Sequence, residues 1–499
     1  MEFLRKKELI YSGIALLAGL FMGYYGISQP VFFTVLIGVV IVAFAAIVSF
    51  DLALLIFLFY IPFQINFTIT SQLSLPSTFV FILAIAGIWF IKKIWKGNFT
   101  LYRADFYLPI LLFFLAAFAS MINAVSLLGA LKRVIYYFCS FLISLLVVNN
   151  FRTQNQMSKF LIAILVPGTI LAIIGLAQFL LQFVFGPYAV GNVFIETFGP
   201  LLWGEKLASL IKGACNWLIY IGERFPSMYT GYNVLLRAIS ILPNPHIFAQ
   251  YIGFIASISG GLYVSNNLIK KRFNPVLSFI FYASLLAFVF TLNRGGYVGM
   301  GVAVLVSLAI LFKHKLITRR TLALVLIAGV LIFILFFKGL VPTKIEQMFA
   351  IGEIFGGAAE ESIYSRIQDM INAYRLFIRH PLTGIGINQY EIYTGGEGAY
   401  IHNTYLQILV EMGLFGLLAF LWINIVCLRE WYAVFKSSED LNTKFIALGF
   451  INFLVLFMVH NFFDWSLLSP VVFGLFCFSL GLAPVVKRIV IGGKNENRD

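Results

Sequence analysis

The chain has 499 residues, 61% of them hydrophobic and 11% charged, with a mean hydropathy of +0.94. Soluble domains carry roughly 25% charged residues, so this composition excludes a soluble fold. Apolar runs that are continuous rather than alternating exclude a membrane β-barrel.

Runs of about 20 apolar residues cross a bilayer as helices. In chain order they fall at 10–27, 31–50, 52–69, 78–91, 106–123, 134–149, 160–185, 246–266, 274–292, 295–312, 321–338, 404–428, 444–462 and 467–485. The expected fold is an all-α polytopic membrane protein with about 12–14 transmembrane helices, since Asp51 alone separates the second run from the third. The start, "MEFLRKKELIYSGIALLAGL", is basic and then apolar without a small-residue cleavage site, which predicts an uncleaved first span. The division is then 1–185, N-terminal helices; 186–245, an external loop; 246–338, further helices; 339–403, a larger external loop; and 404–499, C-terminal helices with a cytoplasmic tail. Four cysteines, Cys139, Cys215, Cys427 and Cys477, show neither a disulfide framework nor metal-ligand spacing.

With both termini cytoplasmic, 23 of the 35 basic residues but nine of the 21 acidic ones fall on the cytoplasmic side. The net charge of +14 therefore lies there in full, as the positive-inside rule expects. This charge reflects topology and gives no reason to invoke nucleic acid.

The loop at 186–245 contains "GEKLASLIKGACNWLIYIGERF", which reads as an interfacial helix. In the loop at 339–403, Ile363, Ile367, Met370, Ile371, Tyr374 and Phe377 recur at helical spacing, predicting an amphipathic helix. Pro381 ends it, and "TGIGINQY" and "TGGEGAY" read as turns.

Polar residues near membrane level are costly and tend to be functional. Arg294 stands in "TLNRGGYVGM" at an external span junction. Arg237 precedes a span introduced by "NPH". Arg366 opens the loop helix, and His402 sits where that loop returns to the membrane. Lys132 and Arg133 are external, against the charge trend. Taken singly, an arginine at a boundary is a snorkelling anchor, His402 an interfacial or capping residue, and Asn403 a cap. Gly413 and Gly416 read as helix packing. Glu411, two turns into a span, is either a structural acid or a partner of the site. His460 and Asp464, in "VHNFFDWSL", read better as structural anchors, and His246, His380 and His314 carry little signal.

Together these residues say more. Three arginines and a histidine converge on one face. Guanidinium groups match phosphate oxygens, and a histidine can accept a proton near neutral pH. The sequence shows neither a metal-binding cluster nor a nucleotide-binding loop. A lipid-linked diphosphate at the external face fits the set.

The order of these motifs resembles the O-antigen ligase family, which includes O-antigen polymerases and bacterial protein O-oligosaccharyltransferases. The most specific stretch is His402, Asn403, nine residues, then Gly413 and Gly416. "RHPLTGIGINQY", "NRGGYVGM" and "RAISILPNPHIFAQYI" resemble further family segments, placing Arg294, Arg237 and Asn244, while Arg366 matches the loop-helix arginine. His246 stands where a second asparagine is usual, and "ILP" replaces the glycine and phenylalanine before "NP". The likeness covers roughly residues 230–480.

The resemblance implies a metal-independent, cofactor-free glycosyltransferase of the bacterial inner membrane, with its active site on the periplasmic or external face. The donor would be a glycan on a polyprenyl (undecaprenyl) diphosphate carrier, and the acceptor a hydroxyl of lipid A core, another glycan or a protein. His402 and Arg294 would be catalytic. Arg237, Arg366, Arg133 and Asn403 would bind the diphosphate or substrate, with Glu411 behind them. Gly384, Gly386, Gly395 and Gly396 would be hinges of a lid. The alternatives are a polysaccharide or peptidoglycan-type polymerase, a protein O-oligosaccharyltransferase, a lipid-linked oligosaccharide flippase, and a structural membrane scaffold.

Overall fold

A computed structural model describes residues 30–70, 73–97, 100–214, 217–220, 234–325, 327, 358–395 and 400–496. The span expected at 10–27, most of that at 321–338, Cys215 and Gly396 lie outside them.

Helices begin where a polar cap precedes an apolar run. Ser126, Thr153, Asn244, Asn274, Asn293, Asn403 and Asp440 each accept a backbone N–H from the first turn that follows. Each cap satisfies a donor that has no partner inside its helix. The N-terminal part comprises α1 (Pro30–Val48), α2 (Phe50–Tyr60), α3 (Ser77–Trp95), α4 (Tyr107–Ser120), α5 (Leu127–Asn150) and α6 (Gln154–Phe185). A connecting segment holds α7 (Pro187–Trp203), α8 (Glu205–Ala214) and a hairpin of β3 (Leu218–Tyr220) with β4 (Val234–Leu236). Next come α9 (Pro245–Tyr263), α10 (Pro275–Phe290) and α11 (Arg294–Lys313). The second long connection contributes α12 (Ala358–Arg379) and the short α13 (Tyr390–Tyr393), and α14 (Thr404–Ser437), α15 (Leu441–His460) and α16 (Pro470–Glu496) complete the bundle.

Among the described residues, eight helices are long and apolar enough to cross a membrane, and four shorter apolar helices accompany them. The fold is that of an all-α polytopic membrane protein. The span expected at 52–69 is corrected: α2 ends at Tyr60, a tight turn carries Pro62, and β1 (Asn66–Thr70) pairs with β2 (Leu73–Pro76). Proline lacks the donor to continue a helix, and the β-branched "FTIT" favours a strand.

α15 and α16 form the centre. α15 packs on α9, α11 and α14, and α16 packs on α5 and α14. At the α9–α15 crossing, Gly261 faces the Phe445 carbonyl and Gly449 faces Ser257, so the two backbones approach closely. Large apolar side chains such as Phe44, Ile91, Leu111 and Leu305 are exposed on the perimeter, as a lipid-facing wall requires.

The amphipathic loop helix is present as α12, but four residues of its expected stripe are turned outward and, among the stripe's described residues, Phe377 alone packs inward. Ile367, Met370, Ile371 and Tyr374 are exposed, whereas Ala373 and Leu376 pack on Ile385, Tyr390, Ile401 and Val410. Ala373, Leu376 and the last stripe residue, Phe377, make the packing contact, and the earlier residues of the stripe are left exposed.

α14 is interrupted at Gly413, whose φ of 67° and ψ of −170° are not helical. The Leu414 N–H instead donates to the Pro381 carbonyl at 2.9 Å. A Cβ at Gly413 would collide with the Leu382 carbonyl. The expectation of plain helix packing is corrected here: the glycine admits a loop backbone, not a neighbouring helix. Gly413→Ala combines a left-handed φ with this collision, and such strain costs about 1–3 kcal/mol. A lowered unfolding temperature of the purified variant is the expected result.

Candidate functional site

The site is built where α14 begins. Thr404, its first residue, is fully buried and staples the helix start to the α15–α16 turn. Its N–H donates to the Asn461 carbonyl at 2.8 Å. Its hydroxyl lies 2.9 Å from both Asn461 Oδ1 and the Asp464 carbonyl. This staple brings His402 to Asp464: His402 Nδ1 stands 3.7 Å from Asp464 Oδ1. The half-buried imidazole also rests against Tyr400, with ring centroids 4.9 Å apart.

Two further histidines act electrostatically on the same carboxylate. His246, in the first turn of α9, stacks edge-on against His460 at 6.0 Å. Burial alone would raise the Asp464 carboxyl, but His402, His246 and His460 outweigh it and hold the group well below the usual carboxylate range. The sign of the linkage follows. A carboxyl depressed in the fold stabilises the protein above its ordinary value of about 3.9, and that contribution is lost as pH falls below it. Asp464→Asn should therefore flatten the pH dependence of the unfolding temperature between about pH 5 and 3.

The arginines arrive through a neighbouring turn. Asn293 caps α11 by accepting from Gly296, so its amide nitrogen is free to donate to His460 Nε2 at 3.0 Å. The exposed Arg294 is the next residue. Gly295 then faces Phe463, so the arginine turn seats against the Asp464 turn. Arg237 is held from two sides. Its N–H donates to Trp217 at 2.8 Å, and its guanidinium donates to the carbonyls of Thr291 and Leu292 at 3.0 and 3.3 Å. Burial lowers the Arg237 guanidinium to about 10; Tyr297 opposes this shift and Arg294 adds to it. Arg237 stays charged at neutral pH.

Arg133, on α5, donates to Asn388 Oδ1 at 2.7 and 3.2 Å and lies over the Trp465 ring at 4.9 Å. Three non-glycine residues with positive φ, Ser240, Leu292 and Asn388, fall in these segments. Such conformations persist where the surroundings over-determine them.

Glu411 does not touch His402. Its Oε1 accepts from Gln407 at 2.8 Å and from the Tyr390 N–H at 3.3 Å, and Gln407 in turn holds the Ile401 N–H at 2.6 Å. The buried acid thus ties the residue before His402 to the preceding loop. Asn403 caps α14, accepting from Leu406 at 3.0 Å. Arg366 lies in α12, and its side chain is outside the described residues. Gly384 and Gly386 both adopt positive φ. They lie in a segment clamped by Asn123, Ser120 and Ser126 on one side and by Val410 and Glu411 on the other. Among the described residues, no group of three or more His, Cys, Asp or Glu side chains could hold a metal ion.

The sequence reading undervalued Asp464, His460 and His246 and missed Asn293 and Asn388. The separation of His460 and Asp464 by four residues was the available signal, and it gains meaning only once the turn folds back onto His402.

Residues 279–421 match the family model described as O-antigen ligase. The match runs from α10 through the Arg294 turn and His402 to the middle of α14. The protein is thus an all-α polytopic membrane protein with a segment similar to O-antigen ligase over residues 279–421. It is also similar to the teichuronic acid biosynthesis protein TuaE of Bacillus subtilis (strain 168), at 22% identity over 253 residues. That alignment covers 47% of this chain and 51% of the relative, so the chain spans about half the length of the curated protein it matches.

Proposed function

We propose that the protein transfers a glycan from a polyprenyl diphosphate carrier to an acceptor hydroxyl, at the end of the bundle where His402 lies. The observation that carries this reading is that the turn bearing Arg294, whose Thr291 and Leu292 carbonyls hold Arg237, packs through Asn293 and Gly295 against the His460–Asp464 turn that faces His402.

The acceptor oxygen attacks the anomeric carbon, and the bond to the diphosphate oxygen breaks. His402 presents Nδ1 to Asp464, so Nε2 is the nitrogen left to accept the acceptor's proton. Asp464 orients the ring and stabilises its protonated form. The departing diphosphate gathers negative charge, and Arg294 and Arg237 supply preorganised cations there. Arg133, fixed on Trp465 and Asn388, borders the same space, and Arg366 would join it from α12. The apolar perimeter suits the prenyl chain, and the outward stripe of α12 suits the membrane surface.

The test is transfer by the purified chain, given a lipid-linked oligosaccharide with lipid A core, free glycan or peptide as acceptor. Product formation that needs His402 supports the reading. A chain that moves the donor across vesicles without forming product overturns it in favour of a transporter. Extension of one lipid-linked glycan by another is the second reading, polymerisation, which the likeness to a teichuronic acid biosynthesis protein favours.

A further inference from the structure

A second polar cleft lies at the opposite end of the bundle. α16 starts beside Asp464, and its residues Pro484–Ile491 stand about 21–32 Å further along at 1.5 Å per residue. There a cleft of about 360 Å³ is lined by Tyr102, Arg103, Asp105, Glu430, Lys487 and Arg488, with Pro484 and Ile491 as apolar wall. Its volume falls within the range of small-ligand sites.

The charges in this cleft divide into two kinds. Both carboxylates are satisfied within the protein: Asp105 by Arg429, and the buried Glu430 by Lys487 at 3.1 Å. The two lining guanidiniums have no carboxylate partner among the described residues. Arg488 is immobilised, with its plane 4.1 Å over the Tyr102 ring and one nitrogen donating to the Phe151 carbonyl at 2.7 Å. Arg103 stands exposed on the rim, with no hydrogen bond or ion pair among the described residues. One fixed fork and one exposed fork, beside the apolar wall of Pro484 and Ile491, suit a phosphate with an attached acyl chain.

We propose that this cleft binds the phosphodiester headgroup of a membrane phospholipid, through Arg103 and Arg488, with the acyl chains running along Ile491. The site is separate from the transfer site and does not depend on the reading given to it.

The test uses the purified full chain in detergent, with phosphatidylglycerol titrated and retained lipid read by native mass spectrometry. Glycerol 3-phosphate and inorganic phosphate serve as soluble competitors. Arg103→Ala should weaken phosphatidylglycerol retention roughly fivefold, the share of one basic residue near an anionic headgroup. Arg103→Lys should restore most of it, and Lys96→Ala, at the same end but outside the cleft, should change nothing. Arg103 is exposed and has no partner among the described residues, so its substitution should leave the fold intact. Equal retention by wild type and Arg103→Ala overturns the proposal. Equal loss in Lys96→Ala also overturns it, as general surface charge. Full displacement of the lipid by millimolar inorganic phosphate overturns it in favour of a soluble phosphate site.

Discussion

Alanine at Arg294 or Arg237 should lower glycan transfer by two to three orders of magnitude while the protein stays folded. Removing one preorganised donor from a developing oxyanion costs about 2.7–4 kcal/mol. The two positions should respond differently to lysine. Arg294 is exposed at the start of α11, where a lysine keeps its charge and restores part of the rate. Arg237 is anchored through two carbonyls, Thr291 and Leu292, by a fork that lysine lacks. Burial already lowers the arginine to about 10, and lysine starts nearly two units below arginine. Arg237→Lys should therefore stay close to Arg237→Ala. Initial rates with purified variants and a lipid-linked donor decide this. Near wild-type rates in either alanine variant would remove the diphosphate role from that residue.

His402→Ala should cost about 10²–10⁴ in kcat, the usual worth of a positioned general base, with little effect on donor binding. Asp464→Asn should act through the same step, because it leaves the imidazole in place without the anion that orients it. The double variant should then be little worse than His402→Ala alone, since residues acting as one unit are not additive. A double variant that multiplies the two losses would show that Asp464 serves the fold and not the base.

The fold class was legible because continuous apolarity is a property of composition. Arg294, Arg237 and His402 were legible because each occupies a distinctive local pattern at a span boundary. The surroundings of His402 were not, since Asp464 lies 62 residues further on, and only the Thr404 staple makes the two neighbours. Arg133 was singled out for its sign on an external face, yet its partner Asn388 is 255 residues away. Gly413 misled for a different reason. A glycine in an apolar run looks like helix packing, and only the backbone angle reveals a break. α12 shows the limit of periodicity: the spacing marks the helix, but the face that packs is the one holding Ala373, Leu376 and Phe377 near its C-terminal end.

The break at Gly413 has a mechanical result. The first turns of α14 are tied to the α15–α16 turn through Thr404 and to the preceding loop through Glu411. The long apolar remainder of the helix resumes beyond the interruption, anchored at its own start to Pro381. A long span leans when bilayer thickness changes, and an interruption of the helical ladder is where such a helix can bend. On the function proposed above, a bend confined to Gly413 would keep the spacing of His402 and Asp464 as lipid composition varies.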